Sequence, residues 1–155
     1  MRHQVDQCAY LNLREIGEPE YNSLRLVVEE MRAGVVTEDL VIAGTNLGAT
    51  RRIEHTEECR VFEIFWESYI AYSVVNESYA TGDDSELSEG RRFRVYSKSR
   101  FLDYIRKETF ADDRYPGPSK HICVSCENQL VNVISVSDPH IRLLKPGQPR
   151  VVPDA

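Results

Sequence analysis

The sequence predicts an α+β fold, a single antiparallel sheet-dominated domain with one principal helix, and three observations carry that expectation. Phe62, Ile64 and Trp66 alternate with Glu63 and Glu67, the two-residue period of a strand with one buried face. Lys120 to Val136 is dense in β-branched residues and is interrupted at Glu127-Asn128-Gln129, which reads as a hairpin near 120–136. Arg100 to Thr109 reads as the one convincing helix, with an apolar stripe at helical spacing through Phe101, Leu102 and Ile105.

Taken in order, Val5 to Leu13 reads as a first strand, closed by Gly17-Glu18-Pro19. Tyr21 to Arg32 fits a strand through Leu24, Leu26 and Val28. It also fits a helical face through Leu24, Val27, Val28 and Met31, and the β-branched Val27-Val28 pair favours the strand. Gly34 is expected to stop it. Leu40 to Ala43 is a short apolar run before a turn-rich segment, Gly44 to Gly48. Arg60 to Tyr79 is expected to fold as an aromatic hairpin near 60–79, reversing at Glu67-Ser68. Thr81 to Gly90 reads as an exposed loop.

Arg92 to Tyr96 alternates basic and apolar residues as an edge or half-exposed strand. Ser97 or Ser99 can cap the helix near 100–109, and Arg106 and Lys107 suit the negative end of its dipole. Asp112 to Ser119 is a proline-stiffened loop, and Pro139 to Leu144 can add a short strand. The domain is expected to span 1–145, with 146–155 a loosely held proline-containing tail.

Length and composition limit the classes of protein. A chain of 155 residues buries roughly 70 % of its unfolded surface in one core. With 41 % hydrophobic and 28 % charged residues, wholesale disorder is not expected. No apolar run approaches the roughly 18 to 20 residues that cross a bilayer, so no membrane association is expected. The first residues have no apolar stretch of the secretory kind, which predicts a cytoplasmic protein. Cys8, Cys59, Cys123 and Cys126 are then expected as reduced thiols, and Asn76-Glu77-Ser78 as an unused glycosylation pattern.

The net charge of −6 is unevenly distributed. Glu54 to Glu89 holds ten carboxylates against Arg60 alone, and Arg91 to Lys107 holds seven cations against Asp103 alone. Opposite blocks of this kind can neutralise each other across neighbouring strands. The basic block, interleaved with Phe93, Tyr96, Phe101 and Tyr104, has the ingredients of a single-stranded nucleic-acid site. The acidity of the rest argues against polyanions as partners.

Cys123-Val-Ser-Cys126 has zinc-knuckle spacing, which His55 and Cys59 can complete to four ligands. A flat strand sends Cys123 and Cys126 to opposite faces, so the set requires a turn between them. No Gly-x-Ser-x-Gly, His-Glu-x-x-His, phosphate-loop or dinucleotide motif occurs. No catalytic residue is therefore assigned and no cofactor is expected.

These features lead to an expectation of protein binding. Carboxylates among tyrosines suit a basic partner, as in an inhibitor or immunity-type protein that neutralises it. The candidate contact residues are Glu63, Glu67, Tyr69, Tyr72, Glu77 and Tyr79, with Asp83 and Asp84 on an adaptable rim. The alternatives are a small hydrolase-like enzyme with His121, His140 and carboxylates in a pocket, and a nucleic-acid module using residues 91–107.

Overall fold

Strand alternation sorts the chain into two antiparallel sheets that share one apolar core. The computed structural model describes residues 1–144. A short helix α1 (Arg2–Asp6) precedes β1 (Tyr10–Gly17), β2 (Leu24–Ile42), β3 (Thr45–Glu54), β4 (Val61–Trp66) and β5 (Ala71–Asn76). A 3-10 turn (Glu77–Tyr79) leads to β6 (Leu87–Glu89), β7 (Phe93–Lys98), α2 (Arg100–Glu108), β8 (Lys120–Ser125), β9 (Gln129–Ser135) and β10 (His140–Leu144). The first sheet runs β1-β2-β4-β10 with β3 on the distal half of β2, and the second runs β5-β9-β8-β7-β6. Leu24, Leu26, Phe62, Ile64 and Trp66 from the first sheet meet Phe93, Ile122, Val124, Val131 and Val133 from the second.

The helix and the second hairpin form where the sequence places them. Ser99 Oγ accepts the Leu102 N–H at 3.0 Å, so α2 starts at a true side-chain cap. Ile105 is its buried residue, and Arg106 and Lys107 occupy its last turn. β8 and β9 pair from Lys120↔Ser135 to Ser125↔Leu130. The strand expected at 139–144 is β10, which pairs with β4.

The aromatic hairpin does not form. β4 lies between β2 and β10, whereas β5 pairs with β9 in the other sheet. The change of sheet occurs between two adjacent residues: the Tyr69 N–H reaches Asn22 O at 3.1 Å, and the Ile70 N–H reaches Ile134 O at 2.7 Å. Alternation specifies which face of a strand is buried and leaves its neighbour open.

Three further boundaries differ from expectation. Residues 2–6 are helical and β1 starts only at Tyr10, because one turn of α1 sends Val5 into the end of the core, with Cys8 close behind. Asp6 Oδ1 accepts the N–H groups of Arg91, Arg92 and Phe93 at 2.6, 2.8 and 3.0 Å, fastening α1 to the start of β7. Burial raises the Asp6 carboxyl, but these bonds outweigh it and the net shift is downward. Gly34 does not stop β2. It sits in a bulge between Ala33 and Thr37, where a Cβ would lie 2.7 Å from Glu54 Oε1 and 3.3 Å from Arg52 O. The Glu54 carboxylate is the end of a flexible side chain that can swing aside, so glycine there relieves mainly the close approach of the Arg52 carbonyl.

The expected turn from Gly44 to Gly48 shrinks to Ala43-Gly44. Both residues have positive φ, 49° and 80°, the twist that suits a two-residue hairpin. Of the two expectations for β7, half-exposed fits its burial and edge does not, since it is flanked by β8 and the short β6. The tail expected at 146–155 lies outside the described residues. Among the described residues no helix is long and apolar enough to cross a membrane.

Candidate functional site

The distal half of β2 and all of β3 form a two-stranded ribbon that leaves the first sheet. Its register runs from Arg32↔Glu54 to Ile42↔Thr45. Every residue of β3 is exposed. Among the apolar side chains Val35 is 91 % exposed, Val36 66 %, Val41 58 % and Leu47 60 %. A two-stranded ribbon is marginal by itself in water, and this one leaves much of its apolar surface exposed, Leu40 and Ile53 being its better-covered apolar side chains. Its charges are internally balanced: Arg52 Nε meets Glu38 Oε2 at 3.0 Å, and Asn46 Nδ2 donates to Asp39 at 3.1 Å. At its base Glu57 and Glu58 are exposed.

The acidic and aromatic residues selected from the sequence fall into three separate places. Glu63 faces away from the core and receives Arg25 Nε at 2.7 Å and Arg142 Nε at 2.6 Å. Burial raises its carboxyl, but the two arginines outweigh that and hold it below the usual range. Glu67 lies at the sheet-to-sheet crossover, 3.3 Å from His140. Tyr69 and Tyr72 both donate to Glu18 Oε1, at 2.7 and 3.1 Å, with their rings edge-on at 4.9 Å. Glu77, Tyr79, Asp83 and Asp84 belong to the segment overhanging the second sheet, where Tyr79 is 81 % exposed.

The four-residue metal set does not assemble; among the described residues no group of three or more potential ligands does. His55 Nδ1 lies 3.1 Å from Glu30 O beside the first sheet, and Cys59 takes the Thr56 N–H. Cys123, opposite Arg94 and Asn132, belongs to the second sheet, and Cys126 points into the shared core. Burial pushes the thiols of Cys123 and Cys126 up to about 11 and about 12. The histidines are likewise apart: His140 is on the first sheet and His121 on the second.

Over the outer face of the second sheet lies a cavity of about 560 Å³. Ser73, Asn132, His121, Tyr96 and Arg94 form its floor, the loop from Tyr79 to Glu86 overhangs it, and Arg100 and Phe101 close one side. His121 stacks on Tyr96 at 4.1 Å. Its Nδ1 takes the Ser99 hydroxyl at 2.7 Å, and its Nε2 reaches Asn132 Oδ1 at 3.0 Å. Because Asn132 Oδ1 can only accept, the proton sits on Nε2 and Nδ1 accepts from Ser99. Burial pushes the imidazole below its ordinary value, against weaker opposing effects of Asn132 and Glu86. Both ring nitrogens of His121 are thus hydrogen-bonded within the chain.

The acidic and basic blocks meet at the rim of this cavity, where Arg100 takes Asp83 at 2.7 Å and its N–H donates to Glu86 at 2.8 Å. Arg92 pairs with Glu127 at 2.8 Å and also grips the Ala9 carbonyl. The ribbon and Asn132 were not among the residues selected from the sequence; His121 was selected for the hydrolase alternative, Arg94 within the basic 91–107 segment and Ser99 only as a helix cap. A signal for the ribbon existed in the β-branched residues on either side of Ala43-Gly44. Comparison with protein-family models, curated proteins and solved structures gave no match.

Proposed function

We propose that this is a protein-recognition module that engages a basic partner, with the β2–β3 ribbon as its principal contact. The observation that carries this reading is the ribbon's exposed apolar surface, including Val35, Val36, Val41 and Leu47. Apolar surface of this kind, on an element that the chain itself does not cover, marks a contact with another molecule. Balanced charges along the ribbon leave burial to supply the affinity. The chain's net charge of −6, with Glu57 and Glu58 at the ribbon's base, steers a basic protein toward it.

Favouring recognition over hydrolysis is the state of the histidines. His121 lies on the second sheet and His140 on the first beside Glu67, so the two do not meet in the shared pocket that the hydrolase alternative requires. The test is affinity capture by the wild type and by a Val41→Asp, Leu47→Asp double variant. The reading requires a basic protein held by the wild type and lost by the variant. A homodimer of the isolated protein that the double variant dissociates would instead assign the ribbon to self-association.

A further inference from the structure

The second-sheet cavity is lined by two arginines and three carboxylates, and their pairing is uneven. Arg100 and Asp83 are partnered at 2.7 Å, and Glu86 caps the Arg100 N–H at 2.8 Å. Among the described residues Arg94 forms no ion pair with a carboxylate, and Asp84 none with a cation. The lining therefore keeps one cation without an ion pair, Arg94, and two carboxylates without one, Asp84 and Glu86, the latter held by the Arg100 backbone N–H.

Arg94 is also held in place. Its Nε donates to Arg91 O at 3.2 Å, and one terminal nitrogen reaches Ser125 Oγ at 3.4 Å. The half-buried side chain borders both this cavity and an adjoining one of about 330 Å³. With Nε and one terminal nitrogen engaged, the remaining N–H groups of this guanidinium, which has no carboxylate partner, can take one. Leu130 and Phe101 supply apolar wall.

We propose that this cavity binds a small zwitterion of the amino-acid class, its carboxylate on Arg94, its ammonium at Asp84 and its apolar body along Leu130 and Phe101. A volume of about 560 Å³ lies within the roughly 300 to 1,000 Å³ of small-molecule sites. A phosphate dianion is the poorer fit, because Arg94 is the one lining cation left over and carboxylates overhang the cavity. The site is independent of the ribbon.

The experiment is a thermal-shift screen of the full chain against the standard L-amino acids. Titration calorimetry then compares the best binder with its analogues lacking the amine or the carboxylate. The zwitterion should bind at least about tenfold more tightly than either analogue. Arg94→Gln should reduce the amino acid to the affinity of the analogue without a carboxylate. Asp84→Asn, at an exposed position that does not threaten folding, should reduce it to that of the analogue without an amine. No response to any amino acid, equal affinity for all three compounds, or unchanged affinity in both variants overturns the proposal.

Discussion

Ser99 and His121, 22 positions apart in sequence, are joined by a 2.7 Å hydrogen bond whose serine oxygen also accepts the Leu102 N–H. One hydroxyl thus caps α2 and fastens it to β8. Asn132 extends the chain by taking the His121 Nε2–H at 3.0 Å and donating to Ser73 at 3.4 Å, so a run of side-chain hydrogen bonds crosses from α2 over β8 and β9 to β5. Ser99→Ala removes a cap and leaves a buried imidazole nitrogen unpaired. The expected cost is about 2 kcal/mol, read as a lower urea midpoint with faster amide exchange in the first turn of α2.

Stability is expected to fall on mild acidification because of the same histidine. The buried ring holds its proton less well than the ordinary value of 6.5, so below that pH the unfolded chain binds a proton that the folded chain refuses. Unfolding is then favoured as pH drops through about 6.5, and the loss levels off below the folded value. Denaturant midpoints measured from neutral to mildly acidic pH should show this decline, and His121→Gln should flatten it.

A second, more acidic window belongs to Glu30. The Arg60 guanidinium, at 2.9 and 3.1 Å, holds this carboxyl down at about 2 against a usual 4.5. Its stabilisation is complete above 4.5 and is lost as pH falls toward about 2. Glu30→Gln should cost about 2 kcal/mol at neutral pH and should remove part of the steep acid limb of the unfolding curve.

The core thiols should be inert in the folded protein. Burial raises Cys8, Cys123 and Cys126 to about 11, about 11 and about 12, leaving little thiolate at neutral pH. Iodoacetamide should leave these three unmodified until denaturant is added. Rapid labelling of Cys123 or Cys126 under native conditions would contradict the packing described.

The ribbon should tolerate substitution that its partner does not. Val41→Asp and Leu47→Asp lie at exposed positions and should each change stability by under about 0.5 kcal/mol. Each should still weaken partner binding by at least about tenfold. Equal losses of stability and binding would mean that the ribbon is part of the fold's own support.

Much of the strand and helix content was legible because it is locally encoded. Ser99, Phe101, Leu102, Ile105 and the basic last turn specify α2 without reference to anything distant, and Glu127-Asn128-Gln129 joins two strands that pair with each other. Pairing across the chain is not encoded locally. Phe62 to Trp66 identifies a buried face, but nothing within Arg60 to Tyr79 says that β4 joins β2 while β5 joins β9. Glu63 illustrates the same limit for the site: on the sequence it is one free carboxylate among many, whereas Arg25 and Arg142, both distant in sequence, neutralise it. Gly34 misled for another reason, since the register shift with β3 that carries β2 past it is set by strand pairing rather than by local sequence.

The central claim, that the β2–β3 ribbon binds a basic protein, is tested most directly by quantitative affinity capture. Wild type and the Val41→Asp, Leu47→Asp variant are compared at low and moderate salt, with equal thermal stability verified first. A basic protein retained in stoichiometric amount by the wild type, weakened by salt and absent from the variant, is the predicted result. The same proteins captured equally by both, or a ribbon-dependent homodimer with no other partner, would contradict it.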